Sequence, residues 1–278
     1  MTVNNFSEKL PVRRLLVDLS KGFDRHWEGG DAFRTAHFNA LSMSFPIGEQ
    51  MFIDSLRNAV VLLPQTPEHD GLRQTVKEFI GQEATHRRLH GLFNEHLAKQ
   101  GLVNHIEKWA GSKAAMGKNV NPMHPLAATA AFEHFTSVIA DVGLRYPDIL
   151  ENASESMQIF WRWHFSEEAE HKSVAMDVYR ALGGNEYWRK RWFFSVWVVF
   201  TGHVLGQTIN NLWHDKTLFK PSTWWSAWKF FFGFKGMVWR MMIPLLQYFK
   251  TGFHPIQHGD PSVAQNWLKE HQDRFSLV

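Results

Sequence analysis

The sequence predicts an all-α protein whose centre is a four-helix bundle, followed by an extra aromatic-rich helical region at the C-terminus. Apolar residues recur at alternating steps of three and four along several long stretches, which places them on one side of a helix. Among these stretches no long alternating strand pattern and no Asn-Gly hairpin signal stands out. The chain has 278 residues, 44% of them hydrophobic, which is enough for such a bundle and an appended region.

Two of the helical stretches carry candidate chemistry. In residues 72–97 the apolar stripe contains Glu83 and His86, and in residues 157–178 it contains Glu168 and His171. Each Glu-x-x-His places a carboxylate and an imidazole one turn apart, and both point towards the core. A buried carboxylate without a partner loses much of its solvation free energy, and a divalent metal ion is the strongest partner available. The repeated motif therefore predicts a metal site.

The preceding part of the chain supplies a third carboxylate. Residues 1–31 form an N-terminal segment, and the predicted bundle covers residues 32–182. Glu49 is the only charged residue on the apolar side of the first bundle helix. Pro46 lies just before it and removes a backbone hydrogen bond, so the sequence predicts either a kink or the start of a new helix there.

The second half of the bundle supplies a fourth carboxylate. Residues 102–122 are long for a loop in a compact bundle, and they are expected to cross it. The third helix then carries Glu133 among small residues. In the fourth helix Glu167 and Glu170 are rotated away from the stripe of Glu168, so both are expected on a solvated face.

The four carboxylates follow an internal repeat. Glu49 precedes Glu83 by 34 residues, and Glu133 precedes Glu168 by 35. Each half is a helix with one Glu followed by a helix with Glu-x-x-His, which brings four carboxylates and two imidazoles around one point. Such mixed oxygen and nitrogen ligation suits iron or manganese better than zinc, so two iron ions are expected, with manganese as the alternative.

Three short motifs carry a family resemblance: FPIGE at 45–49, QEATH at 82–86 and EAEH at 168–171. Over residues 32–182 the chain resembles the ferritin-like di-iron carboxylate superfamily, and its motifs are similar to a bacterial family labelled predicted metal-dependent hydrolases. The resemblance implies a ferritin-like four-helix bundle. It also implies two bridging ligands, Glu83 and Glu168, two terminal ligands, Glu49 and Glu133, and two nitrogen ligands, His86 and His171.

Two further histidines lie at one end of the expected site. His90 is one turn beyond the first motif, and His164 is one turn before the second. Their counterparts at the other end, Phe79 and Ala175, cannot bind metal. We expect His90 or His164 to be an extra ligand or a hydrogen-bond partner of a ligand. The alternative is a pair of core histidines bonded to the backbone or to each other.

The C-terminal region, residues 183–278, is aromatic and basic. Residues 192–209 carry no formal charge and are barely long enough to cross a bilayer, so a buried or membrane-surface helix is favoured. Residues 220–250 combine four tryptophans with Lys and Arg and contain no acidic residue, which is typical of a helix at an anionic membrane surface. Packing on the bundle or in a homodimer is the alternative. Either arrangement suggests a hydrophobic substrate, including a fatty-acyl one.

Composition excludes several classes of function. The chain has no cysteine, which excludes disulfides and thiolate catalysis. Its net charge of +3 does not imply a nucleic-acid partner. The N-terminal residues lack the apolar core of a signal peptide, so a cytoplasmic location is expected, with peripheral association at the inner face of the membrane as the alternative.

Three functions are compatible with these features. The first, and the one we expect, is a di-iron oxidoreductase that activates dioxygen, receives electrons from a donor and oxidises a hydrophobic substrate. The second is a two-metal hydrolase, in which the ions activate water. The third is a metal-binding or membrane-associated protein without enzymatic activity.

Overall fold

The computed structural model describes residues 10–108 and 120–278, and these residues are mostly helical, as the sequence predicts. Two short strands pair antiparallel near the two ends of the described chain, with Arg13 opposite Leu277. In chain order the elements are β1 (Arg13–Leu15), α1 (Ala32–Val60), α2 (Asp70–Lys99), α3 (Met123–Arg145), α4 (Glu155–His171), α5 (Val174–Ala181), α6 (Glu186–His214), α7 (Pro221–Phe232), α8 (Met237–Gln247), α9 (Pro261–Glu270) and β2 (Phe275–Leu277).

Helix α1 begins at a side-chain cap and continues through a proline. The carboxylate of Asp31 accepts a hydrogen bond from the backbone N–H of Arg34, which satisfies one of the free donors at the helix start. Pro46 lies inside the helix, and α1 runs on without a break to Val60. Of the two arrangements that the sequence allows at Pro46, a new helix is therefore wrong.

The central helices pack around the candidate residues. Helix α1 lies against α2 and α3, α3 lies against α4, and α5 packs on α2 and α3. The predicted fourth helix, residues 157–178, is divided: α4 ends at His171 and α5 begins at Val174. Large side chains fill the interior, with Trp161, Trp163 and Phe79 fully buried. This packing holds the polar residues of the stripes away from water.

The C-terminal helices cover one side of these central helices. Helix α6 packs on α1 and α3, α7 packs on α1, and α8 packs on α3. Polar side chains attach α6: the amide of Gln207 donates to the carbonyl of Val103 (2.8 Å), and the amide of Asn211 donates to the carbonyl of Ala36 (3.1 Å). Among the described residues, α6 is the one helix long and apolar enough to cross a membrane, and 33% of its most apolar stretch is buried in the protein.

Two sequence-based predictions are not tested by this architecture. The division into segments 1–31, 32–182 and 183–278 stays a prediction. The crossover expected at residues 102–122 includes residues 109–119, which lie outside the described part of the chain.

Candidate metal centre

All eight side chains nominated from the sequence lie in the interior, and each residue is at most 2% exposed. Helices α1 and α3 contribute one residue each, while α2 and α4 contribute three each. The helix period explains this placement, because positions three, four and seven residues apart face the same way. The eight residues are Glu49, Glu83, His86, His90, Glu133, His164, Glu168 and His171.

The first group of potential ligands joins the two Glu-x-x-His motifs. One ligand atom from each of Glu83, His86, Glu168 and His171 lies within 4.8 Å of the others. Nε2 of His171 is 3.2 Å from Oε1 of Glu83, and Nδ1 of His86 is 3.8 Å from Oε1 of Glu168. The imidazole of each motif therefore approaches the carboxylate of the other motif.

The second group lies directly beside the first. Glu49, His90 and His164 each offer one ligand atom, and these atoms also lie within 4.8 Å of one another. Nε2 of His164 is 3.3 Å from Oε1 of Glu168, so the two groups are contiguous. Glu133 adjoins the first group, with its Oε2 2.9 Å from Nδ1 of a motif histidine, His171. Together the two groups can hold two metal ions.

A hydrogen-bond network that begins at Pro46 orients His90. Pro46 has no N–H, so the carbonyl of Ser42 lacks its helical donor. The amide of Asn94 donates to that carbonyl (2.9 Å), and the hydroxyl of Ser42 donates to Oδ1 of Asn94 (2.8 Å). Nδ1 of His90 lies 2.8 Å from the same hydroxyl and is therefore the donor to it. This leaves a lone pair on Nε2 of His90, which faces Nδ1 of His164 at 3.2 Å.

The sequence predicts Glu167 on a solvated face, and this prediction is wrong. The residue is fully buried, its Oε2 is 2.8 Å from Nε2 of His86, and its Oε1 accepts a hydrogen bond from Arg13 (3.0 Å). A carboxylate that holds one ring nitrogen of a histidine leaves the other nitrogen free for a metal. Glu167 lies three residues after His164 and four before His171, so the helix period could have identified it.

Glu170, which the sequence also predicts on a solvated face, is only partly exposed. Its side chain is 17% exposed and accepts two hydrogen bonds from Arg13, at 2.7 and 2.9 Å. Gln82, which is fully buried, also donates to Glu170 (3.0 Å). Arg13 thus connects strand β1 to two carboxylates of α4 and balances part of their charge.

Burial sets the electrostatics of the centre. It is the main cause that raises the pKa of Glu49 and Glu133 well above the ordinary value, and it raises the pKa of Glu83 to about 7. Burial also acts to raise the pKa of Glu168, but the neighbouring imidazoles of His164, His171 and His86 outweigh it and lower that pKa to about 2. Several carboxylates in one dry site are costly without a compensating cation.

Several buried polar atoms of the centre have no hydrogen-bond partner among the described residues. Buried polar atoms are normally paired, so a cluster of unpaired ones in a core needs a physical reason. Divalent cations bound by carboxylate and imidazole groups would satisfy these atoms together, and the donor set therefore fits metal ions. The unpaired atoms are both carboxylate oxygens of Glu49 and of Glu83, Oε1 of Glu133, Nδ1 of His86, and Nε2 of His164 and of His171.

An apolar cavity lies next to the central helices, between α6 and the pair α7 and α8. Its volume is about 370 Å³, and the residues that line it are almost all apolar. Phe38 of α1, Phe135 of α3 and Phe165 of α4 belong to its lining. Phe165 directly follows His164 of the second ligand group. The cavity and the metal centre therefore share three helices.

The buried glutamates and histidines define the class of protein: a helical protein whose core contains ligand groups that can hold two metal ions. The chain belongs to the family described as predicted metal-dependent hydrolases, whose model matches residues 11–259. The match extends from β1 to the segment before α9, so it includes both ligand groups and the helices around the cavity. No curated protein and no solved structure matches the chain. The family indicates an enzyme that depends on metal.

Proposed function

We propose that the protein is a two-metal hydrolase that acts on a substrate with an apolar, acyl-type chain. The observation that carries this proposal is the pair of contiguous buried ligand groups with unpaired ligand atoms, in a chain of this family. Two metal ions of a hydrolase share carboxylate and imidazole ligands of this kind. The proposed ligands are Glu49, Glu83, His86, Glu133, Glu168 and His171, with His90 and His164 as additional ligands of the second group.

The surrounding residues would hold the ligands and exclude water. When bound, the ions would lower the pKa of a water molecule and stabilise an oxyanion on the substrate. Glu167 holds Nε2 of His86, so that Nδ1 of the ring faces the centre. The ring of Phe45 stacks on His164 at 4.8 Å between centroids and closes this side of the site to bulk water. A dry site strengthens each of these electrostatic interactions.

The cavity supports an apolar substrate. Its lining contains aromatic and aliphatic side chains with few polar atoms, so an alkyl or acyl chain would be preferred over a sugar or nucleotide. It adjoins the same helices as the ligands, so a substrate bound in it would lie beside the metal centre.

A di-iron oxidoreductase is the second candidate. The ligand set favours it, because several carboxylates around two ions stabilise oxidised iron, and the centre is almost completely buried. The resemblance to ferritin-like di-iron proteins also supports it. This function would need dioxygen and an electron donor. Its substrate would be the same class of hydrophobic molecule.

Metal content and reactivity together test both candidates. The metal-free protein is loaded with zinc, manganese or, without oxygen, ferrous iron, and bound metal is measured by elemental analysis. Hydrolysis of a p-nitrophenyl ester series of increasing chain length and uptake of oxygen are then followed. The hydrolase proposal expects two metals per chain, ester cleavage that increases with chain length, and no oxygen uptake. Oxygen uptake in proportion to bound iron without ester cleavage would transfer the assignment to the oxidoreductase.

Matched variants connect these results to the proposed ligands. Glu83→Gln should lose bound metal and ester cleavage together, because a neutral amide is a poor ligand for a divalent ion. Glu95→Gln alters an exposed carboxylate on the same helix and should leave both unchanged. Full metal content and activity in Glu83→Gln would contradict the proposed site.

A further inference from the structure

Helices α6, α7 and α8 present a broad apolar surface to solvent. Monomeric soluble proteins rarely expose large contiguous apolar patches without a function. Eight large apolar side chains of α7, of α8 and of the loop between them are half to fully exposed, and six of the eight are aromatic. We call this surface the aromatic face, and its main members are Trp224, Trp225, Trp228, Phe234, Trp239 and Ile243.

The amphipathic pattern of α7 produces this exposure. Thr223, Ala227 and Phe230 form the buried side of the helix and lie towards α1. The opposite side carries three tryptophans, and the rings of Trp225 and Trp228 stack on each other at 5.1 Å. The apolar side of α7 that has to be buried already packs on α1. The exposed rings on the opposite side are therefore not needed to cover the core.

The segment that carries the aromatic face has formal charges of one sign. From residue 216 to residue 259 the chain contains Lys and Arg but no Asp or Glu. Lys220, Lys229, Lys235 and Lys250 are exposed. Aromatic rings combined with lysines and without acidic residues are the chemistry that binds the interface of an anionic bilayer. A partner protein that recognises an aromatic surface would not require this one-sided charge.

The apolar cavity opens on the same surface. Leu205 of α6 and Phe232 of α7 both line the cavity and are exposed, at 38% and 50%. Thr201, one turn before Leu205 on α6, also lines the cavity and is half-buried. The floor contains Phe165, which adjoins the metal centre. An alkyl chain that leaves a bilayer at the aromatic face would enter the cavity without crossing water.

We propose that the aromatic face docks on a bilayer that carries anionic lipids, and that the cavity receives one acyl chain from it. The acyl-chain part deepens the proposed function and rests on it, whereas the docking part does not. Docking would concentrate an apolar substrate at the cavity entrance.

Vesicle binding by the full chain tests the docking. Vesicles of phosphatidylcholine alone are compared with vesicles that also contain phosphatidylglycerol, and bound protein is measured by co-sedimentation. Wild type should bind the anionic vesicles. The variant Lys229→Glu/Lys235→Glu should bind at least about 10-fold more weakly, because each lysine near the surface contributes to binding. Lys21→Glu/Lys99→Glu, which changes two exposed lysines elsewhere, should bind as wild type does.

Three outcomes would overturn the docking. They are equal binding of wild type to neutral and anionic vesicles, absence of binding, and a stable dimer in sedimentation velocity that Trp225→Ser/Trp228→Ser dissociates. The last outcome would assign the aromatic face to a second copy of the chain. Circular dichroism of each variant verifies that it is folded.

A fluorescent fatty acid, cis-parinaric acid, tests the cavity without any reaction. Thr201→Trp, which narrows the opening, should weaken its binding at least about 10-fold, and Thr201→Val should not. Equal binding by wild type and Thr201→Trp, or no binding by wild type, would overturn the acyl-chain site. Fatty-acid and vesicle binding without ester cleavage would leave this inference intact and remove the proposed hydrolase.

Discussion

Replacement of Arg13 by methionine should destabilise the metal-free protein by about 3 kcal/mol, although Arg13 lies in a strand of only three residues. Arg13 is 7% exposed and donates to Glu167 (3.0 Å) and twice to Glu170 (2.7 and 2.9 Å). In the variant, Glu167 would keep only His86 as a partner, and Glu170 would keep Gln82. Removal of one member of a buried ion pair lowers the free energy of unfolding by about 3–5 kcal/mol. Because His86 and Gln82 still contact the two carboxylates, we expect a loss at the lower end of this range.

Urea unfolding followed by circular dichroism, in the presence of a chelator, measures this loss. Arg14→Met is the matched control, because Arg14 is the next residue in the same strand and its side chain is exposed. The control should change the free energy of unfolding by no more than about 0.5 kcal/mol. A loss below about 1 kcal/mol for Arg13→Met, or one equal to that of the control, would refute the reasoning that the buried carboxylates require this cation.

Three further predictions concern packing, the site and pH. Gly143→Ala should destabilise the protein by about 1–3 kcal/mol, because an added Cβ would overlap the buried ring of Phe165, whereas Gly91→Ala, with open space at its Cβ, should be neutral or stabilising by up to about 1 kcal/mol. Thermal and urea unfolding of the two variants measure the difference, and similar effects would contradict the overlap. Glu167→Gln should lower metal affinity about 10–100-fold in chelator competition, because a neutral amide holds the imidazole of the first motif less firmly; a change below about twofold would argue against this role. Burial raises the pKa of Glu83 from 4.5 to about 7, so in the metal-free protein the folded state keeps a proton that the unfolded chain releases in this range. Between pH 4.5 and 7 the metal-free wild type should therefore lose about 3 kcal/mol of stability relative to Glu83→Gln, and equal pH dependence of the two proteins would show that Glu83 does not titrate in this way.

The helical fold was predictable because its signal is local. The predicted bundle begins at residue 32, and α1 spans Ala32–Val60. The break after His171 was not predictable in the same way. The apolar stripe continues across the break. The spacing of apolar residues does not show whether consecutive turns belong to one helix or to two. The sequence therefore predicts which residues face inward better than it predicts where a helix ends.

The candidate ligands were predictable for the same reason, and one of their partners was missed. The apolar stripe of this helix contains Glu168 but not its neighbour Glu167. It therefore predicts that only Glu168 faces the interior. In the folded protein, however, α4 is enclosed over a wider arc, and the residue beside the stripe is also buried. Glu167 consequently has to find a partner, and it finds His86 on α2 and Arg13 on β1.

By itself the sequence determined the helical class, the inward stripes and the repeated glutamate and histidine positions, because these depend on the 3.6-residue period of a helix. Tertiary structure alone decided which groups meet. Arg13 and Glu167, which form an ion pair, are 154 residues apart in the chain. Asn94 of α2 donates a hydrogen bond to the carbonyl of Ser42 on α1, which lacks its helical donor because of Pro46. The cavity likewise exists only because α6 and the pair α7 and α8 cover the central helices without closing on each other. Such contacts depend on how helices are placed in space, and the period of a single helix carries no information about that placement.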